Sequence, residues 1–249
     1  MADPSASSDS RQNAGANLAR QSARVARLRA EARENPVLER SLAHVAEWQA
    51  NRLGATYADL AADARYRDAV AFFRNDLYGA ADFGQRDAEL DRAAPTMARM
   101  LPQSVLVAVA KAIELDALSQ ELDRRLLTGL PERDARFTVA EYCAAYRAMG
   151  ERSARERQIR LIGEVGAALD AYVNKPLVHA ALLMMRHPAR AAGFAVLQKF
   201  LERGFAAFRK MRGAAPFLAT IDRRERELME AIFAGANAPF ADPTRAARD

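Results

Sequence analysis

Proline and glycine divide this chain at short intervals, and between them apolar side chains recur with the 3.6-residue period of a helix. Asn35-Pro36 is typical of an N-cap followed by proline at the first helical position, and Thr138 with Glu141 has the spacing of a capping box. The alternation that marks strands is absent. The sequence therefore predicts an all-α single domain of roughly nine or ten packed antiparallel helices joined by short connections. Further helices are expected to open at Pro102, Pro176, Pro188 and Pro216, and others to end at Gly54, Gly79, Gly129 and Gly235.

The two ends of the chain lack this periodicity. Residues 1–17 are mostly Ser, Ala, Asp and Asn, and residues 236–249 carry prolines and scattered charge. Such composition is typical of disordered tails. The sequence thus predicts an N-terminal tail over 1–17, a helical domain over 18–235 and a C-terminal tail over 236–249, with the connection at 131–137 as the best internal seam.

The chain is basic, with a formal net charge of +5 and a pI near 9.6. Arginines recur in the first helix, between Arg20 and Arg33, and again between Arg147 and Arg160, but acidic residues interrupt both runs. A nucleic-acid footprint should cluster basic residues on one face. We interpret both runs as solvated helix faces, and the sequence disfavours nucleic-acid binding.

Cysteine content and hydropathy indicate the cellular compartment in which the protein is expected. Cys143 is the only cysteine, so an intramolecular disulfide is excluded, and its apolar neighbours predict a buried, inert thiol. The N-terminus lacks the pattern of a secretory signal. The most apolar windows, 105–110 and 177–185, fall far short of the ~20 residues of a membrane span. We expect a cytoplasmic protein without a membrane span.

Asp87 is the most informative polar position. It lies in the stripe Phe83, Asp87, Leu90, Ala94, Met97, Leu101, whose spacing follows one helix face and whose other members are all apolar. A carboxylate on that face must be paired or protonated, because an unpaired buried charge is very costly. One alternative is a buried salt bridge that holds two helices together. The other is a carboxylate with a perturbed pKa in a pocket. The predicted ligand-binding residues are Asp76, Tyr78, Arg86 and Asp87.

The three histidines carry weaker hypotheses. His44 precedes Glu47 by three residues, which favours a surface pair over a bundle metal site, so no metal ligand is predicted. His179 and His187 flank Met184 and Met185, an arrangement that could offer axial haem ligands but is more typical of core packing. The cofactor therefore stays unknown.

Gly193 and Gly204, about three helical turns apart, predict either close helix packing or a surface for a flat ligand.

Four segments carry a family resemblance. The order of Phe72-Phe73-Arg74-Asn75-Asp76-Leu77-Tyr78-Gly79, Gln85-Arg86-Asp87 and the stretches 95–102 and 197–208 resembles a bacterial family of uncharacterised proteins named for an FFLEE motif. The resemblance spans roughly residues 65–235. Arg74-Asn75-Asp76 stands where Leu-Glu-Glu would be, so only Asp76 keeps an acid. The family brings no established activity.

Two functional hypotheses follow. The absence of a recognisable catalytic motif favours a non-catalytic helical binding or protein-interaction module, with a homodimer or another protein as the partner. The alternative is a small-ligand or cofactor-binding helical protein, or an enzyme, with a pocket near Asp87 or His179. Whether the chain is an enzyme stays open at this point.

Overall fold

The computed structural model describes residues 4–77, 85, 88–90, 92–93, 102–131 and 137–243. Within them eleven α-helices can be delimited, together with a π-helical turn at Phe73–Leu77, and no strand is present in the described residues. The all-α, single-body prediction is therefore confirmed. The helices are α1 (Pro4–Arg33), α2 (Pro36–Thr56), α3 (Ala58–Ala62), α4 (Arg67–Phe72), α5 (Gln103–Gly129), α6 (Val139–Ala148), α7 (Arg152–Val173), α8 (Pro176–Met184), α9 (Arg186–Ala191), α10 (Ala195–Met211) and α11 (Ala215–Phe233).

Local capping fixes several helix starts as predicted. The side chain of Asn35 accepts a hydrogen bond from the Leu38 backbone N–H at 3.1 Å, with Pro36 at the first position of α2. Thr138 and Glu141 form both hydrogen bonds of a capping box at the start of α6. These side chains satisfy backbone N–H groups that have no partner inside a helix.

The region around Gly193 differs from the prediction. A helix was expected to open at Pro188 and to run past Gly193, but Pro188 lies inside α9 and α10 begins only at Ala195. Gly193 has a φ of +75°, a left-handed conformation that interrupts the helix and that glycine adopts without strain. Gly193 therefore separates two helices, and it does not share a helix face with Gly204.

Gly204 has a packing role. A Cβ atom built on Gly204 would lie 2.9 Å from Cζ of Phe72, closer than real side chains approach. The absence of a side chain therefore lets α10 lie directly against the Phe72 ring of α4. This is the close helix packing expected at this glycine.

Both chain ends extend beyond the predicted helical domain. α1 begins at Pro4, and Ala14 and Leu18 are buried in a cluster with Leu106 and Ala110 of α5. After α11, Phe240 packs edge-on against Trp48, with ring centroids 5.9 Å apart. Ala14 and Phe240, which lie in the segments predicted as tails, thus contact the body through their apolar side chains. The limits at 18 and 235 stay predictions.

α7 lies at the centre of the body, where it packs against α5, α10 and α11. On one side of it a cluster of buried residues joins α2, α6 and the end of α11 around Trp48 and Tyr142. On the other side a second cluster joins α4, α10 and the start of α11 around Phe208 and Phe217. No helix in the described part of the chain is both long and apolar enough to cross a membrane.

Candidate functional site

The sequence-predicted site lies largely beyond what can be described. Tyr78, Arg86 and Asp87 fall outside the described residues. Asp76 is described at the end of the π-helical turn, where its carboxylate forms an ion pair with Arg203 of α10. That pair connects two helical elements at the surface. It does not line the interior cavity described below.

A different carboxylate near Asp87 is buried. Glu89 is only 1% exposed, and its Oε2 accepts the backbone N–H of Leu197 at 2.7 Å while Oε1 accepts the side-chain amide of Gln85 at 3.2 Å. Leu197 lies in the first turn of α10, so Glu89 caps that helix from another segment. Glu89 could not be predicted from local spacing, because the backbone N–H that it caps lies 108 positions further along the chain.

The histidines lie at or near the surface. His44, Glu47 and His187 are exposed, and the Met184 side chain is 72% exposed. His179 lies in a wide, shallow surface cleft of about 450 Å³ with Arg209 and Lys210 among its walls. Among the described residues, no group of three or more His, Cys, Asp or Glu side chains is arranged to hold a metal ion.

An interior cavity of about 70 Å³ lies where the two clusters around α7 meet. Its apolar wall includes Ile159, Phe217 and Ile221, and its polar wall is contributed by α2, α6, α7 and α11. The exposed Arg74 also lines it, which places one end of the cavity towards the surface beside the π-helical turn. A polar site inside an apolar helical body is a common form of small-molecule site.

The first polar group of the cavity connects α2, Tyr57, which directly follows that helix, and α11. Arg52 Nη1 donates to Glu225 Oε1 at 2.6 Å, and the Tyr57 hydroxyl donates to the same oxygen at 2.7 Å. The Arg52 and Glu225 side chains are 11% and 16% exposed. Burial alone would raise the pKa of Glu225, but the charge and N–H of Arg52 and the Tyr57 hydroxyl outweigh it and lower that pKa. Glu225 is therefore an ionised, hydrogen-bonded partner of Arg52.

The second polar group is centred on Arg155 of α7, which is 4% exposed. Its Nη1 donates to Gln158 Oε1 at 3.0 Å, and its guanidinium lies 4.5 Å from the centre of the Tyr146 ring. Gln158 in turn donates to the Ser119 hydroxyl at 2.8 Å. Nε and Nη2 of Arg155 are buried and have no hydrogen-bond acceptor among the described residues. No carboxylate in the described chain lies within ion-pair distance of Arg155, and its charge is thus incompletely compensated.

Two carboxylates, Asp123 and the Glu225 described above, interact with this charge at longer range. Asp123 of α5 accepts a hydrogen bond from the Gln49 amide at 2.7 Å. Burial raises the pKa of Asp123, although Arg155 and the Gln49 hydrogen bond oppose the rise. Burial also raises the pKa of both Tyr142 and Tyr146. The two phenols therefore stay neutral at physiological pH, where they are suited to donate hydrogen bonds and not to abstract protons.

Comparison with known proteins gives a family but no activity. Residues 28–239 match the model of a family described as "Domain of unknown function (DUF8198)". No curated protein and no solved structure matches the chain. The finer resemblance to the family named for an FFLEE motif stays a prediction.

Proposed function

Because this chain belongs to a family described as a domain of unknown function, we propose its function from the cavity: it is a non-catalytic helical protein that binds a small molecule between α2, α6, α7 and α11. The observation that carries the proposal is Arg155, a buried cation that lines the cavity and whose Nε and Nη2 donors have no partner among the described residues. Leaving such donors unpaired is expensive, and native proteins usually pair them. A bound molecule with a polar group would supply the missing partner.

The absence of catalysis is part of the proposal. The ionisable groups that line the cavity are three arginines, one of them paired with Glu225, and three phenols, of which Tyr142 and Tyr146 have raised pKa values. At neutral pH, none of these is poised both to accept and to return a proton. The chemistry that they favour is recognition by hydrogen bonds and charge.

Native mass spectrometry of the purified protein tests the proposal. We expect a fraction of the protein to carry an additional small mass that is lost on denaturation. A thermal-shift screen of small acids, amides and amines should then identify compounds that raise the melting temperature, since a ligand that binds only the folded state stabilises it. A protein that carries no additional mass and responds to no compound would contradict the proposal.

A matched pair of variants locates the binding. Ile221→Phe places a larger side chain in the cavity wall, so it should abolish the thermal shift. Ala219→Phe makes a comparable change at an exposed position of the same helix, and it should leave the shift unchanged. Equal shifts in both variants would place the binding elsewhere.

Protein interaction is the second candidate function, and α8 provides its supporting observation. Leu177 is 85% exposed, and Leu183, Met184 and Met185 are exposed as well. Contiguous exposed apolar side chains are typical of interaction sites. A homodimer would appear in the native mass as twice the chain mass. The double change Leu177→Gln and Met184→Gln should return a dimer to the monomeric mass, and an unchanged dimer would place the contact elsewhere.

We propose that nucleic acid is not the partner. Arginines of α1 are engaged within the body: Arg24 pairs with Glu121 and Arg29 with Asp116, both on α5. Pairing of this kind reduces the charge available to phosphates. Binding to duplex DNA should therefore stay within the nonspecific range of about 10⁻⁴–10⁻⁶ M at physiological salt. A submicromolar, salt-dependent complex that is lost when residues 1–34 are deleted would refute this. The cytoplasmic location also stays a proposal, which cell fractionation would test.

A further inference from the structure

The unpartnered donors of Arg155 lie on one edge of its guanidinium group. Nη1 is already paired with Gln158, whereas Nε and Nη2 have no acceptor among the described residues. Nε–H and Nη2–H point in the same direction from the planar group, and their spacing matches the two oxygens of a carboxylate. The hydrogen bond to Gln158 therefore uses Nη1 only. It leaves available the guanidinium edge, formed by Nε and Nη2, that can donate two parallel hydrogen bonds.

The charges of the cavity favour an anion. The positive charge of Arg52 is neutralised by Glu225, with which it forms an ion pair at 2.6 Å. Arg155 forms no ion pair in the described chain. The carboxylates that act on it at longer range are Glu225, which is already paired with Arg52, and Asp123, which accepts a hydrogen bond from Gln49. A buried cation attracts an anion strongly where water cannot screen it.

The remaining walls define the rest of the ligand. The Tyr142 and Tyr146 rings and the side chains of Ile159, Ile221 and Met229 line the same cavity as Arg155. These surfaces are apolar or aromatic, so they favour a hydrocarbon body. A cavity of about 150 Å³ binds benzene, which has six carbon atoms, so a cavity of about 70 Å³ admits roughly three non-hydrogen atoms.

We propose that the ligand is a small monocarboxylate with a short apolar body, and that Arg155 binds its carboxylate through Nε and Nη2. This inference rests on the small-molecule function proposed above and specifies its ligand class. Water does not reach either nitrogen in this structure. The carboxylate therefore binds with a small rearrangement of the side chains around the Arg155 edge, after which it replaces two unsatisfied donors with two charge-assisted hydrogen bonds.

Isothermal titration calorimetry with two isosteric probes tests the ligand class. Propanoate carries the carboxylate on a three-carbon chain, and propanamide has the same shape without the charge. Hydrogen bonds between charged groups are worth more than neutral ones, so we expect the carboxylate to bind about tenfold to a hundredfold more tightly. Equal affinities would overturn the ligand class while leaving small-molecule binding intact. Failure of both probes to bind at millimolar concentration would also overturn it, and native mass spectrometry would then judge the proposed function separately.

Variants on α7 test the role of Arg155. Arg155→Met should abolish the preference for the carboxylate, and Arg155→Lys should retain only part of it, because an ammonium group lacks the paired edge. Arg160→Met, an exposed arginine on the same helix, should bind as the parent does. Circular dichroism establishes that each variant folds, and Arg155→Lys remains informative if Arg155→Met does not fold. A full preference for the carboxylate in folded Arg155→Lys or Arg155→Met would overturn the inference.

Discussion

The Arg52–Glu225–Tyr57 group supports a quantitative prediction about stability. Glu225→Ala removes the only ion-pair partner of Arg52 in the described chain, along with the acceptor of the Tyr57 hydroxyl. Removing one member of a buried ion pair costs about 3–5 kcal/mol, because the other charge stays buried without compensation. The side chains are 11% and 16% exposed, so we expect the lower part of that range, about 3–4 kcal/mol.

The expected loss is large enough to measure in a melting curve. For domains of 150–250 residues, about 1 kcal/mol shifts the melting temperature by roughly 2–4 °C. Glu225→Ala should therefore melt roughly 6–16 °C below the parent protein. Tyr57→Phe removes the hydrogen bond from the Tyr57 hydroxyl to Glu225, and the loss of that bond should cost about 1 kcal/mol. Urea unfolding followed by circular dichroism would give the free energies directly.

A surface pair on the same helix provides the control. Arg223 and Glu227 form an ion pair in which both side chains are more than half exposed. Exposed pairs contribute about 0–1 kcal/mol. Glu227→Ala makes the same chemical change two positions further along α11, and its melting temperature should fall by no more than a few degrees.

A double variant tests the coupling. Arg52→Met with Glu225→Leu removes both charges, and apolar residues of similar size often replace a buried ion pair at little cost. The double variant should be more stable than Glu225→Ala. The single variants Arg52→Met and Glu225→Leu complete the comparison. If the double variant loses as much unfolding free energy as the two single variants together, the two residues are not a coupled pair.

Acidification provides an independent check of the same group. The pKa of Glu225 is lowered in the folded state. Its contribution to stability is therefore present above the unfolded-state pKa, near 4.3, and is lost as the pH falls through the lowered value. Between pH 6 and pH 3 the parent should lose more stability than Glu225→Gln, whose side chain does not titrate. Parallel losses would contradict the assignment of an ionised Glu225.

Three further outcomes follow from the packing. Glu89→Ala should lower stability by about 1–3 kcal/mol in urea unfolding, since the first turn of α10 loses a buried cap; an unchanged midpoint would contradict that role. Gly163→Ala has open space for its methyl group and should gain up to ~1 kcal/mol, whereas Gly166→Ala on the same helix would place Cβ 2.4 Å from Leu218 and should be the less stable variant. The opposite order would refute the packing account. The buried Cys143 thiol has a pKa raised to about 11, so it should react with a disulfide reagent at pH 8 only after denaturant is added, and rapid reaction of the native protein would refute its burial.

The helix starts could be predicted because their causes are local. Asn35 and Thr138 satisfy backbone donors within three residues of themselves, so spacing alone reveals them. The start predicted at Pro188 was wrong for a related reason. Proline is tolerated throughout the first turn of a helix and does not mark its first residue uniquely. The positive φ of Gly193, which sets the actual boundary, has no signature that distinguishes it from a helical glycine.

The cavity could not be predicted from local pattern, because its parts come from distant segments. Tyr57 and Glu225 are 168 positions apart, and no spacing rule connects them. The sequence pattern instead points to Asp87, which lies outside the described residues. Its location on an apolar helix face stays a prediction.

The same pattern, a charged residue on an apolar helix face, also points to Arg155. Arg155 lies in the basic run between Arg147 and Arg160, and the composition of that run favours a solvated helix face. Gln158, Ile159 and Ile162 follow Arg155 at spacings of three, four and seven, which place all four on one face of α7. The structure buries that face, while Arg160 on the other side of the helix stays exposed. The net charge of the chain counts buried and exposed arginines alike. Only a buried cation, however, requires a charged or hydrogen-bonding partner. The arginine that lies on the apolar face is therefore the one on which the proposed binding site depends.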